Sequence, residues 1–167
     1  MDGVVRLQRM LFAIGILTGV MACQKLNPTH TPRAVGRQFV ATPLDFQGMQ
    51  VASSCGKDGE ITEEATQAIN REYLATLVEL GPESDMQVSL SPQPGSIVVS
   101  TQVTQIDPGC NPGVQTRVMI RDATGTELDR FELSSRVISW PALMVAPAPN
   151  RMGKALAEDL LQRLKGN

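Results

Sequence analysis

Residue 23 decides how much of this chain can fold into a domain. Ahead of Cys23 stand 13 residues, Met10 through Ala22, that carry no charge and are mostly apolar. Arg6 and Arg9 precede that run, and the small Ala22 stands directly before the cysteine. A positive head, a short apolar stretch and a small residue at the cut are the grammar of an export signal. The same run is too short for a membrane anchor. As a helix it rises about 20 Å, against a hydrocarbon core of about 30 Å. A buried core helix is also disfavoured, because Lys25 to Arg37 is polar and proline-bearing and offers nothing to pack against. Residues 1–22 are therefore expected to leave as a signal peptide and to take no part in the fold.

The ending Val20-Met21-Ala22-Cys23 resembles a bacterial lipobox, at which signal peptidase II cuts before a cysteine that then carries the lipid. Each buried methylene of an acyl chain contributes about 0.8 kcal/mol, so several chains on Cys23 make a practically permanent tether. Gln24 and Lys25 follow, with no aspartate. By the sorting rule of enteric-type bacteria that pattern implies the outer membrane, with the protein on its periplasmic face. Residues 23–36 then read as lipidated cysteine and flexible tether, with two prolines and no apolar period. Extended, such a segment spans about 40 Å. Residues 37–167 remain for one periplasmic domain, long enough for a real core.

Charge and cysteine content narrow the partners. The net charge is −2 and no basic tract of five residues occurs, which argues against nucleic acid. Aromatic residues are 4% of the chain, too few for base-stacking or sugar-stacking platforms. With Cys23 lipidated, Cys55 and Cys110 remain, an even number that favours one disulfide in an exported protein. Two unpaired thiols are the alternative.

The hydrophobic pattern switches period along the domain. Gln38 to Thr42 reads as a strand limited by Pro43. Ala65, Ile69, Tyr73, Leu77 and Leu80 recur at helical spacing, and Gly81-Pro82 reads as a C′ glycine with a proline stop. Met86, Val88 and Leu90 then alternate with polar residues, as do runs over 96–106, 114–121 and 127–138. Gly125 is placed where a hairpin needs positive φ. Asn150 reads as the cap of a last helix over 151–164, with Met152, Leu156, Leu160 and Leu164 on one stripe. The expected fold is α+β, a two-layer sandwich in order β-α-β-β-β-β-α, with two helices on one face of a mostly antiparallel sheet.

That order of elements, with Arg121-Asp122, Gly125-Thr126-Glu127-Leu128 and the helix text Ala155-Leu156-Ala157-Glu158-Asp159-Leu160, resembles small bacterial envelope lipoproteins. Their fold is similar to the amino-terminal domain of TolB and to penicillin-binding-protein activator lipoproteins. The resemblance implies an α+β fold and no catalytic residue.

Reactive constellations are sparse. The one histidine, His30, lies in the tether, so common catalytic triads lack their base. Neither Cys-x-x-Cys nor His-Glu-x-x-His occurs, and no metal or cofactor is expected. The candidate functional segment is the apolar, proline-rich loop 139–149 with Trp140, Leu143, Met144 and Val145. It either closes the end of the core or forms a partner-binding patch. The expected role is a non-enzymatic module bound to another envelope protein. An enzyme using Cys55 or an acidic cluster is the first alternative, and a self-assembling structural subunit the second.

Overall fold

The protein is described by a computed structural model, covering residues 38–52, 60–109, 112–137 and 148–166. Its spine is the long strand β4 (Ile97–Asp107), in which buried and half-buried residues alternate. Strands β5 (Gly113–Arg121) and β6 (Glu127–Arg136) follow it as an antiparallel meander. On the other flank of β4 lie β1 (Gln38–Ala41) and the short β2 (Gln50–Val51), and β3 (Gln87–Ser89) pairs outside β1. The order is β3-β1-β4-β5-β6, with β2 pairing β4 beyond the end of β1.

The α+β sandwich is the architecture read from the sequence, but the sheet is mixed. Pairs β1–β3, β1–β4 and β2–β4 are parallel. Phe39, Val40 and Ala41 show why β1 takes a central place. All three are buried, so this strand has no water-facing side, as parallel strands in mid-sheet usually lack. The meander behaves differently. In β5, Val114, Val118 and Ile120 are buried, while Gln115, Arg117 and Arg121 are exposed.

Helix α1 (Glu63–Leu80) begins where the Thr62 hydroxyl accepts the Ala65 amide, and Glu63 and Glu64 sit in its positive first turn. Its end corrects the sequence reading. Gly81 has φ −52°, not a left-handed turn. Glycine is needed there for space, since a Cβ would lie 2.3 Å from the Val88 side chain and 2.8 Å from the Leu77 carbonyl oxygen. The left-handed residue is Asp85, φ 55°, which closes a 3-10 turn over Pro82–Ser84.

Helix α2 (Ala148–Leu164) starts before Asn150, so Asn150 is not its cap. Pro149 fits the first turn, where no amide hydrogen is required. Met152, Leu156, Leu160 and Leu164 are buried, as their spacing predicts. Both helices cover one face of the sheet and pack closely at Gly153. A Cβ there would stand 2.2 Å from the Ile69 carbonyl oxygen.

Tyr73 ties the layers together. Its hydroxyl meets Thr101 Oγ1 of β4 at 3.0 Å, and both residues are buried. Burial pushes the phenol up to about 12, outweighing the hydrogen bond that lowers it. Gly125 takes the expected positive φ, 87°, in the β5–β6 hairpin. There the Asp122 carboxylate accepts from the Thr124 hydroxyl and from the amides of Thr124 and Thr126. Those bonds, led by the Thr124 hydroxyl, hold its carboxyl below the usual carboxylate range.

Candidate functional site

The sheet has two distinct ends. The first described residue, Gln38, lies level with the start of β4, because Phe39 pairs Ile97. The β5–β6 hairpin turns at this same end, where Arg121 pairs both Val98 and Glu127. Helix α1 runs toward this end, from Tyr73 over Thr101 to Gly81 against Val88. Eleven residues of β4 separate it from the opposite end, roughly 35 Å.

At the far end the chain leaves the sheet three times within a small area. Ala52 donates to the Ile106 carbonyl at 2.8 Å, so the segment toward Cys55 departs beside β4. Asp107 accepts the Gly109 amide at 2.8 Å, which opens the turn toward Cys110. Val137 donates to the Pro112 carbonyl at 2.8 Å, just before the Trp140 segment. The first turns of both helices also meet, with Pro149 and Asn150 sharing a cleft with Thr62, Ala65 and Ala68.

Every residue singled out by sequence for a role lies outside the described residues: Cys23, Cys55, Cys110, Trp140, Leu143, Met144 and Val145. Parallel partners in β2 and β4 are 55 positions apart, Gln50 with Gln105 and Val51 with Ile106. Cys55 and Cys110 have that same separation.

A second feature was not read from the sequence. On the sheet face opposite the helices, the described residues form a hollow along β4. One wall is the segment after β1, which carries Gln47 and Gln50, and the other is β5 with Gln115 and Arg117. A separate hollow toward the tether end is lined by Asp45, Ser100, Met119 and Arg121. Another toward the far end is lined by Gln105, Asp107, Ser134 and Arg136. Backbone bonds hold the first wall, with the Asp45 amide donating to the Thr101 carbonyl at 3.0 Å and the Val103 amide to the Asp45 carbonyl at 2.7 Å. Arg117 has a long ion pair with Glu132, 3.8 Å, between two exposed side chains. Alternation in β4 and β5 pointed only to a water-facing side. The wall from 42–50 depends on parallel pairing that no local pattern announces.

Among the described residues no group of three or more His, Cys, Asp or Glu side chains is gathered as a metal site requires. No helix among them is long and apolar enough to cross a membrane.

No protein-family model matches this chain, and no curated protein matches its sequence. Several solved structures are similar to it at low identity. A PelC dodecamer from Paraburkholderia phytofirmans is 16% identical, with TM-score 0.47 over 81% of this chain and 93% of that one. A DUF330 protein from Xanthomonas campestris is 11% identical, with TM-score 0.44 over 78% of this chain and 81% of that one. A candidate lipoprotein from Caulobacter crescentus is 10% identical, with TM-score 0.37 over 69% of this chain and 87% of that one. The sequence resemblance to TolB-like and activator lipoproteins stays an expectation beside them.

Proposed function

We propose that this chain is a non-enzymatic, lipid-anchored envelope protein that holds a partner-binding loop away from the membrane. The observation that carries the reading is where the described domain ends at Gln38 and at Val137. The tether from Cys23 joins the domain at Gln38, and loop 138–147 is bracketed by Val137 and Ala148. Gln38 and Val137 lie at opposite ends of the sheet, roughly 35 Å apart. The chain toward Cys23 and the chain toward Trp140 thus leave the described domain at opposite ends of the sheet. The residue types support an interface, since Trp and Met are enriched where proteins meet. Gln24 and Lys25 after the lipidated cysteine favour the outer membrane over the inner.

Site-specific photocrosslinking in intact cells tests this. A photoreactive residue at Trp140 or Leu143 should capture one envelope protein reproducibly. The same residue at Thr124, in the hairpin beside the tether end, should not. Loss of a specific product from both loop positions, or equal capture from Thr124, would contradict the reading.

A further inference from the structure

We propose that the outer edge of β6 pairs, antiparallel and two-fold, with the same edge of a second copy of this chain. The inference goes beyond the loop reading and does not depend on it. Strand β6 runs ten residues at the margin of the sheet, and among the described residues only β5 pairs with it. The Val137 amide donates to the Pro112 carbonyl at 2.8 Å, one step beyond the Gly113–Arg136 pair. Bonded and non-bonded pairs alternate along an antiparallel ladder. The odd-numbered residues of β6 therefore bond to β5, and Arg130, Glu132 and Ser134 turn their amides and carbonyls outward. The apolar side of this edge is also incomplete. Val99, Val118 and Ile120 of β4 and β5 are buried under the helices. Phe131 and Leu133, on the same side of β6, are only partly buried. Arg163 of α2 lies over Phe131, its guanidinium carbon 5.2 Å from the ring centroid. A second β6 would set the two Phe131 rings side by side and cover what the helices leave open.

Charge argues for a second copy as the occupant and chooses its register. With the two-fold axis at Phe131, near the middle of the strand, Arg130 of each copy falls opposite Glu132 of the other. Both are exposed on the face away from the helices. Directly opposed opposite charges stabilise a strand pair, and like charges destabilise it. No like charges oppose in this register, since Glu127 faces Ser135, Asp129 faces Leu133 and Arg136 faces Thr126. Moving the axis one residue back sets Arg130 against Arg130, and one residue forward sets Glu132 against Glu132. Charges on an edge strand guard it against casual pairing. Here they penalise the neighbouring registers and favour the centred one. The existing pairs do not compete. Arg130 meets Glu127 at 2.6 Å and Glu132 meets Arg117 at 3.8 Å, all four side chains being exposed. A guanidinium has five donors and a carboxylate several acceptor positions, so each can serve two partners.

Sedimentation equilibrium of the full chain in density-matched detergent tests this. The parent should sediment as a dimer that dissociates on dilution. Arg130→Glu and Glu132→Arg each set like charges against each other across the axis, and each should weaken the dimer at least about tenfold. Combining the two restores opposite charges and should return the affinity toward that of the parent. Ser134→Pro removes an outward amide, which an edge strand tolerates, and should weaken the dimer as well. Arg71→Glu, a charge-matched control on α1, should leave it unchanged. Should a charge variant fail to fold by circular dichroism, Ser134→Pro carries the same expectation. A monomer at every concentration would overturn the proposal. So would an oligomer indifferent to Arg130→Glu and Ser134→Pro, one weakened as much by Arg71→Glu, or a double variant no tighter than the single ones.

Discussion

Gly153 sets two physical effects against each other, and the geometry says which wins. In the interior of an exposed helix, Gly→Ala raises stability by about 0.8–1.0 kcal/mol through helix propensity. At Gly153 the added methyl would sit 2.2 Å from the Ile69 carbonyl oxygen, 3.0 Å from the Tyr73 amide nitrogen and 3.0 Å from the Glu72 Cβ. Two of these neighbours are backbone in the middle of α1, so no side chain can swing aside. The helices must separate by about 1 Å, which loosens the contacts of Met152, Leu156 and Leu160 as well. Overpacking of this kind costs about 1–3 kcal/mol, and a backbone clash belongs at the upper end. Gly153→Ala should therefore destabilise by about 1–2 kcal/mol net, and Gly153→Val by more. Urea unfolding followed by circular dichroism checks the midpoint. Lys154→Ala, on the exposed side of the same turn, should stay within about 0.5 kcal/mol. A Gly153→Ala protein more stable than the parent would refute the close helix packing.

Other expectations follow from single groups. Tyr73 is buried with its phenol near 12, so the unfolded chain loses this proton first as pH rises above about 10. Stability should fall between pH 10 and 12 in the parent and fall less steeply in Tyr73→Phe, read as denaturation midpoint against pH. The lowered Asp122 carboxyl has the opposite sign. Its contribution is present above the unfolded-state pKa and lost on acidification through the folded-state value, so Asp122→Ala should flatten the acid limb of the stability curve. An even pair, Cys55 and Cys110, in a chain expected to be exported is the ground for expecting a disulfide between them. A bridge closing about 56 residues contributes about 4 kcal/mol in the loop-entropy account. Dithiothreitol or Cys55→Ser should then lower Tm by at least several degrees, and a Tm indifferent to reductant would refute the bridge.

Legibility in the sequence followed locality. The meander and both helices were readable because their signals are periodic and near in sequence, as in Val114, Val118 and Ile120 or the Met152–Leu164 stripe. The parallel pairing of β1 and β2 was not, because it depends on partners dozens of residues away. Gly81 and Asn150 were misread for a related reason. Both have local turn and cap chemistry that tertiary contacts overrode, Val88 pressing on one and the earlier start at Ala148 enclosing the other. The hollow beside Gln47 and Gln50 was invisible for the same cause, its 42–50 wall being held by the β1–β4 and β2–β4 pairs.

The central claim is that the chain is held to a membrane by lipid on Cys23, and metabolic labelling with palmitate tests it most directly. Cells expressing the full chain should incorporate label into the processed protein. Cys23→Ser should abolish both label and processing, leaving the precursor. Label retained in Cys23→Ser, or a parent protein that is processed without any label, would contradict the account.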